Sequence, residues 1–176
     1  IWFSLGSVIL FFGFKFSTVI NLLRRYKYIW LSLGLLVTVL TFFFGIYPGG
    51  EGPRLWLGCC GIYFQPSEPL KLLFIIFLSA FFADNWALRK NLSVLIIPSL
   101  VIVIAAILIL FAQRDLGTAT IFLIIYAFFI FIISGKKRSV FIFLTIIVIA
   151  GYFGYQNFGV IQIRVDGWLN PWVDAS

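Results

Sequence analysis

Six apolar stretches, at about 1–20, 28–47, 66–84, 92–112, 116–134 and 139–157, divide this chain almost end to end. Crossing the hydrocarbon core of a bilayer takes about 20 predominantly apolar residues per helix, and each stretch has that length. The connectors between them are short and hold Gly, Pro, Asn or clustered charge, the residues that punctuate helices. With 62% hydrophobic and 11% charged residues, nothing remains to build a soluble domain. The expected fold is all-α: a polytopic helical integral membrane protein, with a single transmembrane domain over residues 1–176.

The net charge of +7 would suit a nucleic-acid partner, but its placement argues against one. Arg24, Arg25 and Lys27 follow the first stretch, Arg89 and Lys90 the third, and Lys136, Lys137 and Arg138 the fifth. Alternate connectors thus hold most of the positive charge, which is the positive-inside pattern and assigns them to the cytoplasm. The other connectors hold Glu51, Asp115, Asp166 and Asp174 with Arg54, Arg114 and Arg164, and are expected outside. Trp2, Trp30, Trp56, Trp86, Trp168 and Trp172 all fall near stretch ends, as interfacial aromatic belts do.

The chain has no histidine, which excludes His-based acid–base catalysis and His metal sites within it. Carboxylates, Lys, Tyr and Cys remain for proton transfer. Cys59 and Cys60 are adjacent, a poor geometry for a mutual disulfide, and read as small apolar fillers. The chain opens inside an apolar stretch without methionine and closes on Asp174-Ala175-Ser176, and is expected to be a fragment.

Glu68 and Lys71 head the third stretch. A charge near a bilayer centre costs roughly 2.5–3.5 kcal/mol on insertion scales, so an opposite-sign pair there is by default a functional-site candidate. A spacing of three puts both side chains on one helix face, where they can pair. Pro66 suits the start of a helix, and Glu68 in its first turn meets the positive end of the helix dipole, so capping is the plainer reading. Asp115 is likewise placed to cap the stretch beginning at Leu116. Its further role would be to join Lys71 in one network. The last polar segment, Arg164 to Asp174, reads on its own as an outward aromatic loop.

Taken in order, Phe64-Gln65-Pro66-Ser67-Glu68, Gln113-Arg114-Asp115-Leu116-Gly117-Thr118-Ala119 and Arg164-Val165-Asp166-Gly167-Trp168-Leu169-Asn170-Pro171-Trp172-Val173-Asp174 resemble the signatures of the SEDS family (shape, elongation, division and sporulation). These are the RodA- and FtsW-type membrane glycosyltransferases, and the resemblance runs along essentially the whole chain. It implies a domain of about ten membrane helices, of which this chain would supply six and be inactive alone. It implies that the whole protein polymerises lipid II outside the bacterial cytoplasmic membrane, with a class B penicillin-binding protein as partner. The resemblance makes Asp174 the catalytic residue and assigns Glu68, Lys71 and Asp115 to an intramembrane network. Two local departures are Arg114, where proline is commoner, and Ala175, where proline is common.

The implied chemistry is an inverting attack of a sugar hydroxyl on an α-linked sugar diphosphate. It needs a general base, which a carboxylate can supply, and positive charge at the leaving group. Arg54 and Arg164 are candidate pyrophosphate contacts, and a divalent cation (Mg or Mn) is a further candidate for that task, on which the sequence does not decide. A lipid II flippase would use the same membrane charges without needing Asp174, and a scaffold for the penicillin-binding protein would need neither. Elongation, division and sporulation branches share these motifs.

Overall fold

The computed structural model describes residues 17–47, 53–59, 62–157 and 159–170. Seven α-helices occupy most of them: α1 Ser17–Arg25, α2 Lys27–Phe44, α3 Ser67–Asp84, α4 Leu92–Ala112, α5 Leu116–Ser134, α6 Lys137–Asn157 and α7 Gly159–Leu169. A two-stranded antiparallel hairpin, β1 Leu57–Cys59 with β2 Ile62–Phe64, precedes α3, and a 3-10 turn, Trp86–Lys90, follows it. Five of the six apolar stretches therefore form helices close to their expected bounds. Of the first stretch, residues 1–16 lie outside the described residues.

Three described helices, α2, α4 and α5, are long and apolar enough to cross a membrane. A fourth span is made if Phe141–Asn157 and Ile161–Leu169, bent by 108°, count as one broken span. Helix α3 is as long as α2, but Glu68, Lys71 and Asp84 load its 18 residues with three charges. The chain is a multi-pass, all-α membrane protein.

The core lies where α3 packs against α2 and α5, with α4 and α6 against α5. Phe74 of α3 stacks on Phe122 of α5 at 4.3 Å between ring centroids, and both are fully buried. Gly34 lets α2 approach α3, because a Cβ there would meet Leu70 and Leu73 side-chain atoms at 2.9 Å. Pro98 lies inside α4 and donates no N–H. One residue on, the buried Ser99 hydroxyl lies 3.0 Å from the Tyr126 hydroxyl, tying α4 to α5 by a polar contact inside the bundle. Outward positions stay apolar, with Val101, Leu108 and Phe128 all more than 60% exposed, as helices facing lipid require.

Three details differ from the sequence reading. The cluster Arg24, Arg25 and Lys27 is not a loop: α1 continues through Arg25, and only Tyr26 separates it from α2. A hairpin forms at 57–64, where the apolar pattern predicts no element. Finally, helix α7 runs to Leu169, so Arg164 and Asp166 are helical rather than in a loop. Gln162 donates to the Tyr155 carbonyl at 2.7 Å and the Tyr155 hydroxyl reaches Asp166 at 3.4 Å, tying α7 to α6 across the bend.

Charge placement yields a first expected result. With Cys59 and Cys60 replaced by serine in the complete protein, a cysteine at 174 should react with an impermeant thiol reagent on intact cells. A cysteine at 137 should not. The reverse pattern would invert the topology.

Candidate functional site

Helix α3 separates two polar ends of the bundle by roughly 26 Å, at 1.5 Å rise per residue. At its C-terminal end, Asp84 takes charged hydrogen bonds from Arg24, with Nε at 2.8 Å, and from Lys27. At its N-terminal end lie the signature residues.

The chain reaches that end through the hairpin, and α3 starts at Ser67 directly after Pro66. Ser67 is buried and donates to Asp115 Oδ2 at 3.2 Å, while Gln65 Nε2 donates to Ser67 Oγ at 2.9 Å. Asp115 Oδ1 accepts the Thr118 backbone N–H at 3.2 Å, which makes it the N-cap expected for α5. One carboxylate therefore caps α5 with one oxygen and holds the start of α3 with the other. Two signature segments, 48 residues apart in sequence, meet at this bond.

Lys71 Nζ donates to Glu68 Oε1 at 2.8 Å, so the expected pair forms. Its side chains are 21% and 60% exposed respectively, which leaves the carboxylate largely open in the described residues. Asp115 is held by Ser67, while Lys71, one turn further along the same face of α3, pairs with Glu68. An ion pair this exposed contributes little, typically about 0.2–1 kcal/mol. In a double-mutant cycle, Glu68→Ala and Lys71→Ala should therefore couple by less than about 1 kcal/mol in thermal unfolding. A coupling of several kcal/mol would mean that the pair is desolvated in the complete protein.

Beside Asp115, Gln113 is buried and clamps α4 to α2. Its Nε2 donates to the Thr38 carbonyl and, at 2.9 Å, to Thr41 Oγ1. Sequence reasoning quoted Gln113 only as part of a motif; a lone amide carries no signal for its distant partner. The next residue, Arg114, has φ 61°, among the described residues the non-glycine with positive φ. Its N–H donates to the Phe111 carbonyl at 2.9 Å, and the Asp115 N–H to the Leu110 carbonyl at 2.9 Å. These two bonds form the Schellman closure of α4, with Arg114 at the position where glycine is usual. The left-handed conformation costs a non-glycine residue roughly 1–2 kcal/mol. Gly135, after α5, takes the same conformation without that cost, at φ 63°. Proline is locked near −65° and could not adopt Arg114's conformation, so this departure from the resembled family alters the turn as well as the charge.

Arg54 reaches the same end from the segment before β1. Ile46 and Trp56 pair as an antiparallel bridge, which lays the Arg54 backbone over Gly45. A Cβ on Gly45 would sit 2.4 Å from the Arg54 carbonyl oxygen and 2.1 Å from that of Thr41, both backbone, so only glycine fits. Arg54 and Arg114 line one cleft of about 270 Å³ with Thr41, Phe42, Pro53 and Gln113. The Arg164 side chain and Asp174 lie outside the described residues, as do Trp172 and Ala175. Among the described residues no three His, Cys, Asp or Glu side chains group to hold a metal ion.

Comparison with known proteins adds three findings. The sequence model of the FtsW/RodA/SpoVE family, described as cell cycle protein, matches residues 1–176. Stage V sporulation protein E of Bacillus subtilis (strain 168) is 30% identical over 177 residues, covering 94% of this chain and 47% of that protein. The probable peptidoglycan glycosyltransferases FtsW of Geobacter sulfurreducens and Borreliella burgdorferi are 27% and 30% identical, covering 81% and 89% of this chain but 38% and 42% of theirs. The chain thus spans about half, or less, of the length of these relatives. No solved structure gives a significant match.

Proposed function

This chain belongs to the FtsW/RodA/SpoVE family of cell cycle proteins, and on that premise we propose that the complete protein is a peptidoglycan glycosyltransferase. It extends glycan strands from lipid II at the outer face of the bacterial cytoplasmic membrane, in company with a class B penicillin-binding protein. The observation that carries this reading is the Ser67–Asp115 hydrogen bond, which joins two of the family's signature segments at one end of the bundle.

Residue types divide the work. Asp174 is the general base that takes the proton of the attacking sugar hydroxyl as the new β-1,4 bond forms with inversion. The Pro66-Ser67-Glu68 segment, Lys71 and Asp115 form the floor that orients the lipid carrier's head group. Arg54 faces the departing diphosphate, whose developing negative charge fixed cations stabilise. Arg164 is a second candidate for that role.

The test is direct. The complete protein, purified with its penicillin-binding partner and given labelled lipid II, should produce glycan ladders on a gel. Lipid II that crosses vesicle membranes without polymer forming would instead make this chain part of a flippase.

A further inference from the structure

The Schellman position after α4 is where a chain can place glycine without strain, as this chain does with Gly135 after α5. At Arg114 it places a cation in the left-handed conformation instead. A local choice that works against the backbone is where a functional constraint is to be sought. Arg114 lines the cleft of about 270 Å³ that Arg54 also lines. Both arginines are exposed, and among the described residues neither has an ion-pair partner. Two arginines thus line one small cleft, and none of the described ion pairs involves either of them.

Size and wall chemistry narrow the ligand. Small-molecule sites usually hold about 300–1,000 Å³, so this cleft accommodates a phosphate-sized group and has no room for a disaccharide with its peptide. Guanidinium forks bind phosphate oxygens bidentately, and two forks match two phosphates. The remaining wall is apolar, from Phe42, Pro53 and Ala112. Phe42 begins the strongly exposed run Phe42-Phe43-Phe44 at the end of α2. Apolar surface beside the cleft suits an anion that carries a hydrocarbon chain.

We propose that Arg114 and Arg54 form a cradle for the diphosphate of a polyprenyl lipid, with Arg114 the residue that selects diphosphate over monophosphate. The inference rests on the polymerase reading for its ligand class, and it adds a specificity residue to it. The Gln113 clamp onto Thr38 and Thr41 fixes the α4 side of the cradle, and Gly45 fixes the Arg54 side.

Binding is measured on the complete protein in lipid nanodiscs, with a polyprenyl diphosphate, the matching monophosphate and inorganic pyrophosphate as probes. Arg114→Gly is the informative variant, because glycine suits φ 61° and the fold should be retained or gain thermal stability. It should bind the diphosphate about tenfold to a hundredfold more weakly, the usual loss for one charge-assisted contact, and bind the monophosphate nearly as wild type does. Arg54→Gln should weaken both lipids, and Arg114→Lys should restore part of the diphosphate affinity, since lysine keeps the charge without the fork. Wild-type diphosphate affinity in Arg114→Gly overturns the proposal. So does equal binding of monophosphate and diphosphate by the wild type. Inorganic pyrophosphate that binds as tightly as the lipid would reassign the cradle to a soluble anion and overturn its lipid part. Polymerisation of lipid II by the wild type is scored separately, so a failed cradle and a failed polymerase give different results.

Discussion

Asp174→Asn in the complete protein is expected to lower glycan polymerisation by about 10²- to 10⁴-fold, the range that general-base catalysis typically contributes. The amide is nearly isosteric with the carboxylate but cannot accept the proton of the attacking hydroxyl. Surface substitutions away from packed groups usually change stability by no more than about 0.5 kcal/mol, so folding and partner binding should persist. Lipid II binding should persist too, because the diphosphate is held by cations and not by this carboxylate. The decisive readout is therefore a split: unchanged binding of labelled lipid II with no polymer on the gel. Wild-type polymerisation by the Asn variant would remove Asp174 from the base role and leave Glu68 as the next carboxylate to examine. Loss of binding and polymer together would mean that the substitution disturbs the fold.

Much of the architecture was legible because the bilayer makes it so. Every backbone polar group in hydrocarbon must be satisfied internally, which turns a run of twenty apolar residues into a helix with little room for alternatives. Helices α4 and α5 accordingly fill the stretches 92–112 and 116–134, with Asp115 as the expected N-cap of α5. The N-cap at Asp115 and the pairing of Glu68 with Lys71 followed from spacings of three, which lie within one turn of helix. What escaped prediction is non-local. Ser67 has no role assignable from the sequence beyond its place in the motif, yet its hydroxyl is the group that meets Asp115. Gln113 reaches 75 positions back to Thr38, and nothing in the local pattern of either residue announces the other. Arg114 was visible as a charge, whereas its backbone conformation depends on how α4 closes, a matter of hydrogen bonds that composition does not encode. Asp84 gives no local signal either, since its partners Arg24 and Lys27 lie 60 and 57 positions back.

That acid carries the second large effect. Asp84→Ala is expected to destabilise the bundle by about 1–3 kcal/mol, below the roughly 3–5 kcal/mol for breaking a fully buried pair from one side. Lys27 sets the size: its side chain is 10% exposed, and Asp84 is its ion-pair partner. Lys27 is also the first residue of α2, where a cation opposes the helix dipole, so Asp84 offsets a second unfavourable interaction. Two circumstances keep the loss under the buried limit. The Asp84 side chain is itself 32% exposed, and Arg24, its other partner, is 55% exposed and adds only a surface contact. Because Arg24 and Lys27 flank the break at Tyr26, this one carboxylate fixes both α1 and α2 to the end of α3. The Lys27→Met variant should cost less than Asp84→Ala, since methionine fills the same space and leaves no buried charge. The double variant should then lose less than the sum of the two, because removing Asp84 matters chiefly while Lys27 is charged. Melting curves of the four proteins in one detergent decide it, and additive losses would show that Lys27 finds solvent without Asp84.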